Sequence, residues 1–407
     1  MKKYRVMVLT ATLAVAIQAH ANLALRSMSI TLPMDMMNTP HPLNLSVGIG
    51  SGAYHRSGDP DDVIYTISDR GPNIPCEEAK ALIGRPVCPN GKIFPNPYFA
   101  PSIYKLKITA SGVEVLARIQ IKTAQQIPVT GISTPKTEAA FDLNGKKLRD
   151  DPNGVDSEAL VRTQSGDFYV GDEYGPSILH LARDGTILAR WIPKGSKARF
   201  AGADYPLREK LPAILAKRHL NRGIESVGLS PDEQFLYFSL QSPLDNPNKD
   251  AYKKSRNVRL FKLKRTSGDI LGEYVYQLDK PSTFAKDNHK KPRKQSDVKI
   301  SEMTAIGQDK LIILERISQT TKFYQVDLST TKSITSKWDN AATHPSLEQQ
   351  MGVPMLRKTL VFSTDEVVNA PSKIEGMAYV NPKLWYLSTD NDFGIDGQAS
   401  HIVKVTF

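Results

Sequence analysis

Cysteine, histidine and long apolar runs are scarce in this chain of 407 residues, which has two cysteines and eight histidines. Cys76 and Cys88 stand in "GPNIPCEEAKALIGRPVCPNGK" with no further cysteine or histidine nearby. Zinc coordination is disfavoured there, and in an exported chain a disulfide closing a short loop is expected. Beyond the N-terminal segment no stretch approaches the roughly 18 to 20 apolar residues of a spanning helix, so no membrane span is expected. Catalytic fingerprints are missing too: there is no Gly-x-Ser-x-Gly elbow, helical metalloprotease motif, phosphate-binding loop or dinucleotide signature. Ser51 in "GIGSGAY" reads as a tight backbone approach and His180 in "SILHLAR" as a packed strand residue. A serine esterase therefore lacks an evident nucleophile and base. The formal net charge of +11 is scattered over segments such as "KKSR" and "HKKPRKQ". Without a recognition motif or a basic-aromatic stripe this is a solvated surface that can draw in anions, and no nucleic-acid partner is expected.

What is present begins with a leader. "MKKYRVMVLTATLAVAIQAHA" combines Lys2, Lys3 and Arg5, an apolar run from Val6 to Ile17 and the small-x-small ending Ala19-His20-Ala21. This is the pattern of a secretory signal over 1–21, with cleavage before Asn22 and a secreted or periplasmic destination. Residues 22–407 suffice for one large domain with a sizeable core.

That domain is repetitive. Five units share an acidic or glycine opening, a short apolar strand, a turn, a second strand rich in Tyr, Phe, Leu and Ile, and a polar or charged close. They are "SVGIGSGAYHRSGDPDDVIYTISDRGPN", "DSEALVRTQSGDFYVGDEYGP", "IESVGLSPDEQFLYFSLQSP", "ISEMTAIGQDKLIILERIS" and "IEGMAYVNPKLWYLSTDNDFG". One or two more alternating stretches follow each pair, among them "SIYKLKI", "VEVLARIQI", "TILARWI", "VRLFKLK", "GEYVYQL", "KFYQVDL" and "HIVKVTF". Four antiparallel strands per unit predict an all-β fold, a β-propeller of four-stranded blades. The last unit is one strand short, and "ALRSMSITLP" is a strand without a unit, so the N-terminal strand is expected to complete the last blade and close the ring. Units two to five open 67 to 77 residues apart, which predicts long insertions between blades and leaves room for a sixth. One insertion, "YPLREKLPAILAKRHL", reads as helical.

Glu158, Glu225, Glu302 and Glu375 open units two to five, and Asp69, Asp172, Glu173, Glu315, Asp390 and Asp392 stand at the closes. The start of the first strand and the end of the second lie at one edge of an antiparallel hairpin, so these acids should converge on one mouth of the channel. So many carboxylates near one axis need compensation, which bound cations supply. Oxygen-only donors predict a hard ion, Ca²⁺ first and Mg²⁺ or Mn²⁺ behind it. The expected ligands are Glu158, Asp172, Glu225, Glu302, Glu375 and Asp390. Arg70, Arg222, Arg316 and Lys373 are expected to grip an anionic substrate, and Glu173 or Asp392 to act as general base.

The motifs "SDRGPN" (68–73), "DSEAL" (156–160), "DEYGP" (172–176) and "NDFG" (391–394) resemble those of the phytase-like esterase family. The resemblance covers nearly the whole mature chain and implies a propeller with ester or phosphoester hydrolysis. Together the residues and the resemblance point to an exported metal-dependent hydrolase of phosphomonoesters or related anionic esters. The alternative is a non-catalytic exported propeller that binds a ligand or protein partner around a structural Ca²⁺.

Overall fold

A computed structural model describes residues 23–34, 43–135 and 137–407. The expected leader, 1–21, lies outside them. Among the described residues no helix is long and apolar enough to cross a membrane.

The protein is all-β, built on five principal, mostly antiparallel sheets. The first contains Gly52–Tyr54, Val63–Ile67, Ser102–Ile108 and Val113–Gln120. The second contains Ser157–Arg162, Phe168–Asp172, Ser177–Leu181 and Ile187–Pro193. Ile224–Leu229, Phe235–Leu240, Asn257–Lys264 and Ile270–Gln277 form the third. Lys299–Gly307, Lys310–Arg316, Thr321–Asp327 and Lys358–Ser363 form the fourth. Ile374–Asn381, Leu384–Thr389 and Ser400–Thr406 make the fifth, whose outer strand is the N-terminal Ala24–Ile30, paired with Ser400–Thr406 from Ala24↔Thr406 to Ile30↔Ser400.

Strand composition follows position. Inner strands such as Ile224–Leu229 are buried along their whole length, whereas the outer Val113–Gln120 alternates half-buried and exposed residues. A strand covered on both faces reads as a continuous apolar run, and one with a wet face alternates.

The first strand of each sheet lies beside the first strand of the next, and Ile374–Asn381 of the fifth lies beside Gly52–Tyr54 of the first. Apolar clusters fill the same gaps. Ala159, Val161 and Tyr169 of the second sheet pack with Val227, Leu229 and Phe238 of the third. Ala378, Tyr386 and Ile402 of the fifth pack with Ala53, Ile64 and Leu106 of the first.

Two details depart from expectation. The segment read as helical is an edge strand, Leu207–Leu211, parallel to Ile187–Pro193, followed by a 3-10 turn Ala213–Lys217. Pro206 and Pro212 bracket that strand, and a proline cannot donate the backbone hydrogen bond a helix interior needs. The insertion after "KFYQVDL" ends in the fourth sheet's outer strand, Lys358–Ser363. Otherwise the described insertions supply short helices, such as Ala79–Ile83, Lys249–Lys254 and Ala285–Asn288, and a small sheet of Ile74–Pro75, Lys92–Ile93 and Ala140–Phe141.

Candidate functional site

Each inner hairpin of sheets two, three and five opens with a bulge at a glutamate. In the second sheet Ser157 faces Asp172 and Ala159 faces Gly171, so Glu158 has no cross-strand partner. Glu225 stands likewise between Ile224↔Leu240 and Ser226↔Ser239, and Glu375 between Ile374↔Thr389 and Gly376↔Ser388. A bulge leaves one residue outside the ladder and re-aims its side chain. All three carboxylates line one cavity of about 430 Å³.

The fourth sheet is out of step. Its pairs are Ile300↔Glu315 and Glu302↔Leu314, so the bulged residue is Ser301 and Glu302 is one position later. Successive strand side chains point to opposite faces. Glu302 is therefore absent from the cavity wall and accepts hydrogen bonds from the Ala53 N–H (3.3 Å) and the Met303 N–H (2.9 Å). Burial holds its carboxyl well above the ordinary range. This corrects its expected place among the metal ligands.

The same parity sorts the closing acids. Asp172 and Glu315 occupy the paired position and turn away from the cavity, whereas the next residues, Glu173, Gln241 and Asp390, line it. Asp172 is fully buried, 2.6 Å from Arg190 Nη2, and also accepts from Ser177 Oγ (2.7 Å) and the Asp156 N–H (2.9 Å). With its oxygens engaged away from the cavity, it too departs from the expected ligand set. Glu315 likewise pairs with Lys358 at 2.7 Å. Gly223 permits the tight fit beside Glu173, since a Cβ there would meet the Glu173 carbonyl oxygen at 2.2 Å.

The four expected cations lie near these acids, and three are already engaged by carboxylates. Arg70 Nη1 stands 2.9 Å from Glu138 and 3.0 Å from Asp156, while its Nη2 donates to Asn221 Oδ1 at 2.7 Å. Arg316 pairs with Glu375 and donates through Nε to Ser301 Oγ at 2.7 Å. Lys373 pairs with Asp392, stands 3.6 Å from Asp396 and is absent from the cavity wall. Local neutralisation of buried carboxylates takes these cations, leaving them poorly disposed to grip a substrate. Arg222 differs: it lines the cavity, donates through Nη1 to the Asn221 carbonyl at 2.9 Å and keeps Nε buried without a hydrogen-bond partner.

Nine carboxylates and only four cations line the cavity, and the electrostatics follow from that imbalance. Burial, helped by Asp392 and Glu173, pushes the Asp69 carboxyl up to about 7. Burial first, and then Asp156, Glu225 and Glu173, hold Glu158 well above its usual range. Glu225 and Asp390 are raised by burial and by the acids beside them. For Asp392 burial is outweighed by hydrogen bonding with Asp390 and by Lys373, and its pKa falls.

These carboxylates fit a cation. Ligand atoms of Asp69, Asp156 and Glu158 lie within 4.8 Å of one another, and Glu225 Oε2 is buried without a hydrogen-bond partner. An oxygen-only donor set of this kind suits a hard ion.

Sequence reasoning missed three contributors. Asp156 forms part of the carboxylate cluster, and its signal was the Asp-x-Glu spacing with Glu158. Gln241 and Lys299 line the cavity with no motif to mark them. Burial and the like charges of Arg316 and Arg222 push the Lys299 amine down to about 7. The Cys76–Cys88 disulfide is formed, and the segment around it brings Pro75, Glu78, Leu82 and Lys92 to the cavity.

Comparison with known proteins places the chain in a family. A secreted protein of Arthroderma benhamiae, itself uncharacterized, is 30% identical over 154 residues, covering 34% of this chain and 30% of that protein. The chain thus matches less than a third of that relative's length. Among solved structures, the PQQ-bound aldose sugar dehydrogenase of Streptomyces coelicolor is 10% identical over 95% of this chain and 98% of that one, with a TM-score of 0.34. Virginiamycin B lyase from Staphylococcus aureus is 11% identical over 95% and 100%, with a TM-score of 0.35. At these scores neither likeness carries a functional argument. The family described as phytase-like, with esterase-like activity of phytase, matches residues 47–393, a span that holds every cavity-lining carboxylate except Asp396; the protein therefore belongs to the phytase-like family.

Proposed function

We propose that this protein is an exported, metal-dependent hydrolase of phosphomonoesters or related anionic esters, acting at the acidic cavity. The observation that carries the reading is the Asp69, Asp156 and Glu158 cluster, of which Asp69 and Glu158 stand with Glu225, whose Oε2 is unpartnered, on the wall of a cavity with an excess of carboxylates. Export rests on the leader pattern and on the secreted relative. The five sheets are read as the blades of one propeller ring closed by the N-terminal strand.

Asp69, Asp156, Glu158 and Glu225 would hold the ion, with Asp390 and Glu375 on the same wall, and Ca²⁺ leads over Mg²⁺ and Mn²⁺. A cation there would offset phosphate charge and favour ionisation of water. The chain's own groups do the rest. Arg222 orients the anion through its free Nε–H. Glu173 makes no ion pair among the described residues, so it is better placed than Asp392 to accept a proton from water. Lys373 and Asp390 hold Asp392 as a carboxylate whose lowered basicity suits it to fixing charge.

The test is hydrolysis of phosphomonoester and carboxyl ester panels by purified protein stripped with chelator and resupplied with Ca²⁺, Mg²⁺ or Mn²⁺. Metal-restored phosphate release supports the reading and identifies the ion. Silence on every substrate, with metal still raising the melting temperature, makes the acids a structural ion site in a binding protein.

A further inference from the structure

The cavity is polarised by sheet. Three positions correspond in the inner hairpins of the second and fourth sheets: the residue before the opening pair, the bulged residue and the residue after the closing pair. In the second sheet they are Asp156, Glu158 and Glu173; in the fourth they are Lys299, Ser301 and Arg316. Of these, the second sheet brings the acids Glu158 and Glu173 to the cavity wall and the fourth brings the cation Lys299.

The cations of the fourth sheet differ in their freedom. Arg316 is held by Glu375 and Ser301. Lys299 lines the cavity, and its side chain makes no ion pair or hydrogen bond among the described residues. Arg222, the like charge beside it, makes no ion pair among the described residues and leaves Nε unsatisfied. Gln241 adds a buried Oε1 without a partner on the same wall. Glu225 and Glu173 are the acids nearest both cations, yet neither is in ion-pair contact with them among the described residues, and a buried cation without a directly bonded acceptor is costly.

We propose that Lys299 and Arg222, with Gln241 beside them, form an anion subsite that binds a tetrahedral oxyanion, the phosphoryl group of substrate or free phosphate, without help from a metal ion. Its physiological ligand rests on the hydrolase reading above; its existence does not. An entering oxyanion would supply the missing acceptors for Arg222 Nε–H and the Lys299 ammonium, while a protonated phosphate oxygen could donate to Gln241 Oε1. The acids of the second sheet repel the same group unless a cation intervenes, which favours the fourth-sheet side for the anion in metal-free protein.

The experiment is titration of inorganic phosphate into chelated protein, followed by calorimetry or by ³¹P line broadening, for the wild type and for Lys299→Met, Lys299→Arg and Arg222→Met. The expected result is saturable binding by the wild type, a dissociation constant raised about tenfold or more in each methionine variant, and retention in Lys299→Arg. Absence of saturable binding by the wild type, or unchanged affinity in both methionine variants, overturns the subsite. If Lys299→Met fails to fold, Arg222→Met alone decides by the same criterion. Sulfate competition tells tetrahedral oxyanion recognition from general charge attraction, because acetate at equal ionic strength should not displace phosphate. Phosphate binding intact but hydrolysis absent with every metal would leave the subsite standing and remove the hydrolase reading. Hydrolysis present with phosphate affinity unmoved by the variants would do the reverse.

Discussion

At the scale of single residues, strand parity separates acids that look equivalent in sequence. Glu158 stands in the bulge of its hairpin and on the cavity wall, so Glu158→Gln should lower metal affinity by at least about tenfold, read by calorimetric titration of the chelated protein. Glu302 lies one position off the bulge, buried, with one oxygen accepting from the Ala53 N–H and the other from the Met303 N–H. Glu302→Gln should therefore leave metal affinity unchanged while costing about 1–3 kcal/mol of stability, because the amide nitrogen cannot accept and leaves one buried N–H unpaired; a large loss of metal binding would refute the register argument. Asp172 serves a different purpose again. Replacing it with Asn removes the charge facing Arg190 in a fully buried pair, so a loss of about 3–5 kcal/mol is expected in denaturant unfolding. Any fall in turnover should then track the unfolded fraction.

At the scale of elements, the bulges and the stapled insertion position the site. The segment Ile74–Ile93 carries Glu78, Leu82 and Lys92 to the cavity and is tied by Cys76–Cys88, which are separated by 12 residues. Closing a loop of that size restricts the unfolded chain by about 3 kcal/mol in the chain-entropy picture. Reduction, or the double change Cys76→Ala and Cys88→Ala, should cost about 2–3 kcal/mol or appear as faster hydrogen exchange confined to this segment. Exchange spread evenly over all five sheets would show that the staple supports the whole fold rather than the cavity wall.

At the scale of the whole molecule, the excess of buried carboxylates makes stability depend on pH and metal together. Asp69 is raised to about 7 by burial and by its acidic neighbours, and Glu158 and Asp390 are raised with it. Between the unfolded carboxylate value near 4 and the folded value near 7 the native state binds more protons than the unfolded chain, so stability falls as pH rises through that window. Chelated protein should melt at a higher temperature near about pH 5 than near about pH 8. Bound cation should abolish or invert that trend, since metal and protons compete for the same oxygens. A chelated melting temperature that climbs steadily from acid to neutral pH would contradict the proton count. The N-terminal strand Ala24–Ile30 acts at this scale too: without it Ser400–Thr406 becomes an unpaired edge beside the first sheet. A chain starting at Thr31 should aggregate or unfold at lower temperature, as measured by light scattering on heating.

The sequence by itself determined the all-β class, the five repeated hairpins, the N-terminal strand that pairs with the last one, the disulfide and the concentration of acids at hairpin ends. These follow from local alternation, turn chemistry and counts of residue types, which need no tertiary contact to read. Tertiary structure decided which acids share the cavity. A bulge moves a side chain from one face to the other without leaving a mark in composition, so Glu302 looked equivalent to Glu158, Glu225 and Glu375 and is not. It also decided that Arg70, Arg316 and Lys373 are taken by neighbouring carboxylates while Arg222 and Lys299 make no ion pair among the described residues, because ion pairing in a buried site depends on distances between strands far apart in the chain.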